Sequence, residues 1–314
     1  MKNFKITLTF GLIFGLLFPS CEKSDEDMGV VINGLTAENY PNVDCSTSAG
    51  PLQAIIYCEL LGLNYSWERN LALDYVYFVS PDIDDYTAFY EKTNVSGTHG
   101  AYVSLINKES DLILVAREPS NDELDAASSE RVELNVTPIA LDAFIFITNM
   151  NNSVKSLTTS QIKDIYKDNI TNWKDVGGND SPIHPYVRNA NSGSQELMEK
   201  LVMKGESMTD WSEAILSGMA GPFSTIRVDE NGLCYTVYYY KERMVRDQVV
   251  KHISVDNVYP EKKTIKNQSY PYTTFVYAVV RQDWDRDSMA YKIYEALQTK
   301  GGKRIIEKSG YIAN

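Results

Sequence analysis

Arg188, Ser192, Gly193 and Ser194 are the residues of this chain whose types and spacing most directly suggest chemistry. They lie in Tyr186–Leu197, between Pro185 and a run in which Leu197, Met198, Leu201 and Val202 recur at helical spacing. The stretch therefore reads as a loop that opens a helix. The first amides of a helix have no intrahelical acceptor, and the helix dipole places partial positive charge there. Two hydroxyls, a glycine that admits close backbone approach and a nearby guanidinium make a set of donors suited to an oxyanion. A serine ahead of a helix is also an ordinary N-cap, and an arginine beside it is often only solvated. Repetition weighs against that plainer reading.

Two further stretches have the same form. Asp44-Cys45-Ser46-Thr47-Ser48-Ala49-Gly50-Pro51 precedes Leu52, Ile55, Ile56 and Leu60, the apolar face of a helix that stops at Gly62. Pro51 suits a first helical turn, where its missing N–H is not needed. Asn94-Val95-Ser96-Gly97-Thr98-His99-Gly100 precedes Tyr102, Leu105 and Ile106, again one helical face.

These loops need a scaffold, and the rest of the chain supplies alternating elements. The short apolar run Leu112–Ala116 reads as a strand that ends at Arg117-Glu118-Pro119-Ser120. Asn121–Ser129 reads as a helix, and Val132–Val136 and Leu141–Thr148 as two strands. Thr158, Thr159 and Ser160 open a helix with Ile162, Ile165 and Tyr166 inward, closed by a loop over Trp173–Gly178. A helix is expected around Asp210–Gly218, an aromatic strand over Cys234–Tyr240 and extended chain over Ile265–Val280. Two helices, around Ser288–Thr299 and Lys303–Lys308, close the chain. Leu63–Tyr90 shows no clear period and reads as irregular with short elements. The class is α/β, with mostly parallel sheets expected.

Composition limits the function. With 314 residues there is material for two domains, and 43% hydrophobic with 23% charged residues is globular. The formal net charge of −12 argues against nucleic acid as a partner. A buried anion feels its local donors more than distant surface carboxylates, so the same charge does not exclude an anionic ligand. Lys2 and Lys5 precede the apolar run Leu12–Phe18 and then Ser20-Cys21. That run is too short for a membrane span and reads as a signal peptide over 1–20. Small residue, cysteine and acidic stretch resemble a bacterial lipoprotein signal, with Cys21 as the lipidated first residue and 21–35 as a tether. Phe18 and Pro19 depart from the commonest form of that signal. The acidic Glu22–Asp27 resembles the export signal of Bacteroidetes surface lipoproteins, giving a Gram-negative envelope lipoprotein, periplasmic or outer-surface. Cys45, Cys58 and Cys234 are an odd set; a Cys45–Cys58 bridge is left open, with buried thiols the preferred reading. His99, His184 and His252 are far apart, and no spacing calls for a metal or a cofactor.

The three loops, in order, resemble the ligand loops of PstS-type phosphate-binding proteins of ABC transporters. Supporting matches are Val-Thr-Pro-Ile-Ala-Leu-Asp-Ala-Phe at 136–144, Leu-Thr-Thr-Ser-Gln-Ile-Lys-Asp-Ile-Tyr at 157–166, Ile-Thr-Asn-Trp-Lys-Asp-Val-Gly-Gly at 170–178 and Ile-Glu-Lys-Ser-Gly-Tyr at 306–311. The resemblance implies a two-lobed type II periplasmic binding protein fold with two crossover strands and an interlobe ligand cleft. One lobe would comprise 36–140 and 253–314, the other 141–252. Carried over residue by residue, Thr47 or Ser48 would donate a hydroxyl and a backbone N–H from the first lobe, Ser96 or its neighbour Thr98 would do the same, and Arg188, Ser192, Gly193 and Ser194 would serve from the second. Where phosphate binders of this family commonly carry an Asp that accepts a proton from phosphate, this chain has Arg117, then Glu118. Arg117 is expected either as a second cationic clamp or as a salt-bridged cap, with the proton test moved to Glu118 or lost.

The function so implied is non-catalytic capture of inorganic phosphate, or a similar tetrahedral oxyanion, by a lipid-anchored monomer for a membrane permease. Two competing readings are a secreted phosphoesterase using one of the serines, and a sensor or adhesion lipoprotein that kept the fold without the ligand. The first lacks a recognisable base or metal pair in the sequence.

Overall fold

The computed structural model describes residues 29–70 and 76–314. The expected signal peptide and Cys21 lie outside the described residues.

The chain opens with β1 (Val43–Cys45), a short 3-10 turn at Thr47–Ala49, and α1 (Gly50–Leu61) with Pro51 in its first turn. Every residue of α1 from Pro51 to Cys58 is buried, so it packs on all sides rather than on one stripe. Next come β2 (Tyr65–Asn70) and β3 (Val76–Pro81), an antiparallel hairpin with Tyr65 opposite Pro81, where the sequence predicted irregular chain. In β2 the half-buried Tyr65 and Trp67 alternate with exposed Ser66 and Glu68. Then follow α2 (Thr87–Lys92), β4 (Thr93–Asn94), α3 (Gly97–Ile106), β5 (Leu112–Val115) and α4 (Asn121–Ser129). Ser120 and Glu123 form a reciprocal capping box at the start of α4.

The two strands expected at Val132–Val136 and Leu141–Thr148 are one, β6 (Leu134–Asn149): the chain stays extended past Pro138, and its pairing is only shifted there by a bulge that skips Ile139. Sixteen extended residues reach about 50 Å. Downstream lie β7 (Ser156–Leu157), α5 (Thr159–Tyr166), β8 (His184–Pro185), β9 (Val187–Arg188), α6 (Gly193–Leu197) and β10 (Ile215–Leu216). Then come α7 (Gly221–Val228), β11 (Gly232–Val237), β12 (Val250–His252), β13 (Ser254–Val255) and α8 (Lys262–Lys266). The chain ends with β14 (Thr273–Arg281), α9 (Met289–Ala296), α10 (Lys300–Ser309) and β15 (Ile312–Ala313).

The main sheet has the order β4-β1-β5-β14-β6-β11-β8, with β12 and β15 also paired to β6. β1 is parallel to β4 and β5, and β11 to β8. Everything paired with β6 is antiparallel to it. The sheet is therefore mixed rather than mostly parallel. Its physical reason is topological: the chain crosses on β6 and returns on β14 in the opposite sense. β6 pairs with β14 from Leu134 to Ala143 and with β11 from Phe144 to Thr148, so one strand serves both halves. The main core is continuous along it, from Ile139 through Ile147 to Trp173 and Tyr235.

No helix covers Asp210–Gly218. A 3-10 turn at Ser212–Ala214 gives way to β10, whose Ile215 and Leu216 pair in parallel with Val187 and Arg188. Gly218, at φ 65°, then turns the chain into α7. The aromatic strand likewise stops at Val237, and Tyr240 begins a wide π-helical turn through Val245. Extended chain begins at Thr273, after α8.

Candidate functional site

The turn after β1, the start of α3 and the start of α6 meet around one hollow of about 440 Å³. Its lining includes Thr47, Ser48, Ser96, Thr98, Arg188, Ser192, Gly193 and Ser194, eight of the nine ligand residues expected from the sequence. No Asp or Glu is among the lining residues. A surface of hydroxyls, first-turn amides and a guanidinium, without carboxylates, has the electrostatics of an anion site.

Ser46 was not among the expected residues, yet it lines the hollow. Its Oγ is buried without a hydrogen-bond partner among the described residues. Its amide donates to Leu114 O, which fastens the turn to β5. A buried orphan hydroxyl is costly unless something outside the protein completes it. Asp44, just before, organises the neighbouring loop. Its Oδ1 accepts from the amides of Cys45 at 2.7 Å and Ser96 at 3.0 Å, and its Oδ2 from the hydroxyls of Ser96 at 2.6 Å and Ser104 at 3.1 Å. Both donors of Ser96 are thus committed to Asp44. Ser96 lines the hollow with oxygen lone pairs, not with the donor hydroxyl expected of it.

Arg188 is the centre of the facing wall. Only 4% exposed, it ends β9, and its amide is held by Gln195 Oε1 and the Tyr235 hydroxyl. Its Nε donates to Leu216 O at 2.9 Å, a contact created by the β9–β10 pairing, and Nη1 lies 3.6 Å from Met219 Sδ. Burial lowers its pKa, and among the described residues no carboxylate forms an ion pair with it. A guanidinium does not neutralise itself in a protein, so the buried charge calls for an anion. Ser192 caps α6 in extended conformation without using its side chain as a cap acceptor, and Ser194 is buried against Met219.

Arg117 is the exception. The hollow is lined by Ala116 at that point, and Arg117 turns away from it. Its two terminal nitrogens donate to Glu123, at 2.7 and 2.8 Å, and one also to Glu118 O. The salt-bridged alternative holds, and a second cationic clamp does not form. Burial alone would depress the Arg117 pKa, but Glu123 outweighs it and the net shift is upward. Glu118 does not take over the cleft either; it pairs with Lys200 at the surface. Glu123 has a third partner, His99 Nδ1 at 2.9 Å, and His99 lines the hollow.

Among the tyrosines of 235–240, Tyr235 stands directly behind the site, bonded to Gln195 and to the Arg188 amide. Trp173 is fully buried packing, with its indole N–H on Asn231 O. Cys45, Cys58 and Cys234 are free and buried. The described residues contain no group of His, Cys, Asp and Glu that could hold a metal.

Residues 77–295 match the family model PBP_like_2, a PBP superfamily domain, and the chain belongs to that superfamily. The chain is similar to the phosphate-binding protein PstS of Staphylococcus epidermidis, 28% identical over 228 residues, 70% of this chain and 68% of that one. Its similarity to PstS of Borreliella burgdorferi is 23% over 248 residues, 74% and 86% of the two chains. Among solved structures it resembles a putative phosphate ABC transporter substrate-binding protein from Clostridium perfringens with bound phosphate. That likeness has a TM-score of 0.65 and 26% identity, covering 87% of this chain and 98% of the other. An ABC-type phosphate transport receptor from Vibrio cholerae shares the fold at TM-score 0.61 and 19% identity. The fold is thus the mixed α/β, two-lobed architecture of periplasmic binding proteins.

Proposed function

We propose that this protein is a solute-binding protein that captures inorganic phosphate, or a closely related tetrahedral oxyanion, for uptake through a membrane permease. The observation that carries the reading is Arg188: a buried guanidinium with no carboxylate partner among the described residues, set where the three loops converge. Each charge-assisted hydrogen bond to an anion there contributes roughly 1.5–3 kcal/mol, and several together suffice for micromolar affinity.

Capture follows from a division into two lobes, 36–140 with 253–314 and 141–252. Donors at 46–48 and 97–98 then belong to one lobe and those at 188–194 to the other, so the ligand favours closure. The protein acts as a monomer without catalysis. His99 is the sole imidazole of the lining, and its Nδ1 is bound to Glu123 rather than to a serine nucleophile. Export by residues 1–20 and lipidation of Cys21 place it in the envelope of a Gram-negative cell.

Calorimetric titration of the mature chain with phosphate tests the reading. Micromolar or tighter binding that disappears in R188A is the expected result. Unchanged affinity in R188A would show that the site lies elsewhere.

A further inference from the structure

The two walls of the hollow differ in what they offer a ligand. The wall of Arg188 and α6 presents donors. On the α3 wall, Ser96 gives its hydroxyl hydrogen to Asp44 Oδ2 over 2.6 Å. Three residues on, His99 Nδ1 meets Glu123 Oε1 at 2.9 Å. Glu123 is buried and forked onto Arg117, so it is the acceptor of that contact and Nδ1 carries the hydrogen. In neutral imidazole the other ring nitrogen, Nε2, then holds a lone pair. Two neighbouring lining residues thus have their hydrogens turned onto buried carboxylates. The charged groups about His99 and Glu123 include Asp122, 4.0 Å from His99 Nδ1, Arg117 behind Glu123, Glu196 from the start of α6, which is attracted by Arg117 and repelled by Asp122 and Glu123, and Arg188 in the same lining.

We infer that His99, supported by Ser96, determines specificity in this hollow: Nε2 accepts a hydrogen bond from the hydroxyl of a protonated tetrahedral oxyanion. The inference rests on the oxyanion reading above and sharpens it to a class, hydrogen phosphate or hydrogen arsenate, with sulfate excluded. Sulfate has no hydrogen to give, and an oxygen of it set against Ser96 and His99 would face lone pairs. Arg117 and Glu123 are positioning residues that fix which nitrogen of His99 is protonated.

The test is calorimetry of the mature chain against phosphate and sulfate at pH 8, where phosphate keeps a proton and sulfate has none. The wild type should prefer phosphate by about 100-fold or more, and H99A should narrow that ratio about tenfold, mainly through weaker phosphate binding. H99Q, whose amide oxygen can accept, should retain most of the preference. Equal loss toward both anions in H99A, or no change toward either, overturns the role of His99 while leaving the oxyanion site standing. A wild-type chain that binds neither anion overturns the oxyanion reading and this inference with it.

Discussion

Gly193 stands so close to Thr98 that a β-carbon on it would lie 2.6 Å from Thr98 Oγ1. The starts of α3 and α6 meet at this point, and only a residue without a side chain lets them do so. In G193A the Thr98 side chain must turn or the two helix starts must move apart. Phosphate affinity is expected to fall about tenfold or more by calorimetry, because misplaced donors lose their hydrogen bonds. Thr98 is itself a donor of the site, so the clash is isolated by comparison with T98A: adding G193A to T98A should cost much less affinity than adding it to the wild type. Parent-like affinity in G193A would show that this approach is not needed for binding.

Arg117 and Glu123 are 4% and 1% exposed, so removing Arg117 leaves a buried carboxylate without its guanidinium, and removing Glu123 leaves a buried guanidinium without its carboxylate. R117M should lower stability by about 3–5 kcal/mol in urea denaturation. The double variant R117M/E123L should be closer to the wild type than R117M alone, since it removes both charges together. A loss in the double variant as large as in R117M would assign the effect to packing instead.

Asp142 lies on β6 where the strand changes partners. Its Oδ1 accepts from the amides of Ala143 and Tyr239, but Oδ2 is buried without a partner among the described residues. Burial raises its pKa from 3.8 to about 7. The unfolded chain releases this proton near pH 4, whereas the folded chain holds it until about pH 7. The resulting stability is therefore full below pH 4 and is lost as pH rises through 7, about 4 kcal/mol in all. D142N, which keeps the Oδ1 contacts, should flatten this part of the stability profile when unfolding is measured at pH 5 and pH 8. A wild-type and a D142N profile of the same slope would refute the assignment.

Burial pushes the thiols of Cys58 and Cys234 up to about 12 and raises that of Cys45 well above its ordinary value. Thiolates are the reactive form, so a thiol reagent at neutral pH should leave all three untouched in the folded chain. In denaturant all three should label. Rapid native labelling of any one would place it nearer solvent than it stands here.

The donors at 188–194 were legible because a guanidinium, two hydroxyls and a glycine sit within seven residues ahead of a periodic apolar run. The same local grammar located Thr47, Ser48 and Thr98. Arg117 was not legible in this way: its partner Glu123 is six residues on, and the third member, His99, comes from another helix. Whether an arginine meets a ligand or a carboxylate is decided by tertiary packing, which no local pattern encodes. Ser96 misled for the same reason, since its hydrogen goes to Asp44, 52 residues away. The fold class was readable from alternating elements, but the sense of pairing was not, because the antiparallel crossing of β6 and β14 joins segments more than a hundred residues apart. Ile215 and Leu216 fit a helical period as well as a strand, and only the neighbouring β9 settles which.

Since β6 is one strand that pairs first with β14 and then with β11, the two halves of the main sheet share a continuous backbone. Cutting the gene near residue 141 would sever a strand in mid-ladder, leaving both fragments with an open row of backbone donors and acceptors. Neither fragment should persist as a soluble half, and a protease offered the native chain should find no severable bridge between its lobes in this strand. New specificities in such a scaffold are therefore far more accessible through the loops that rim the hollow than through exchange of whole lobes.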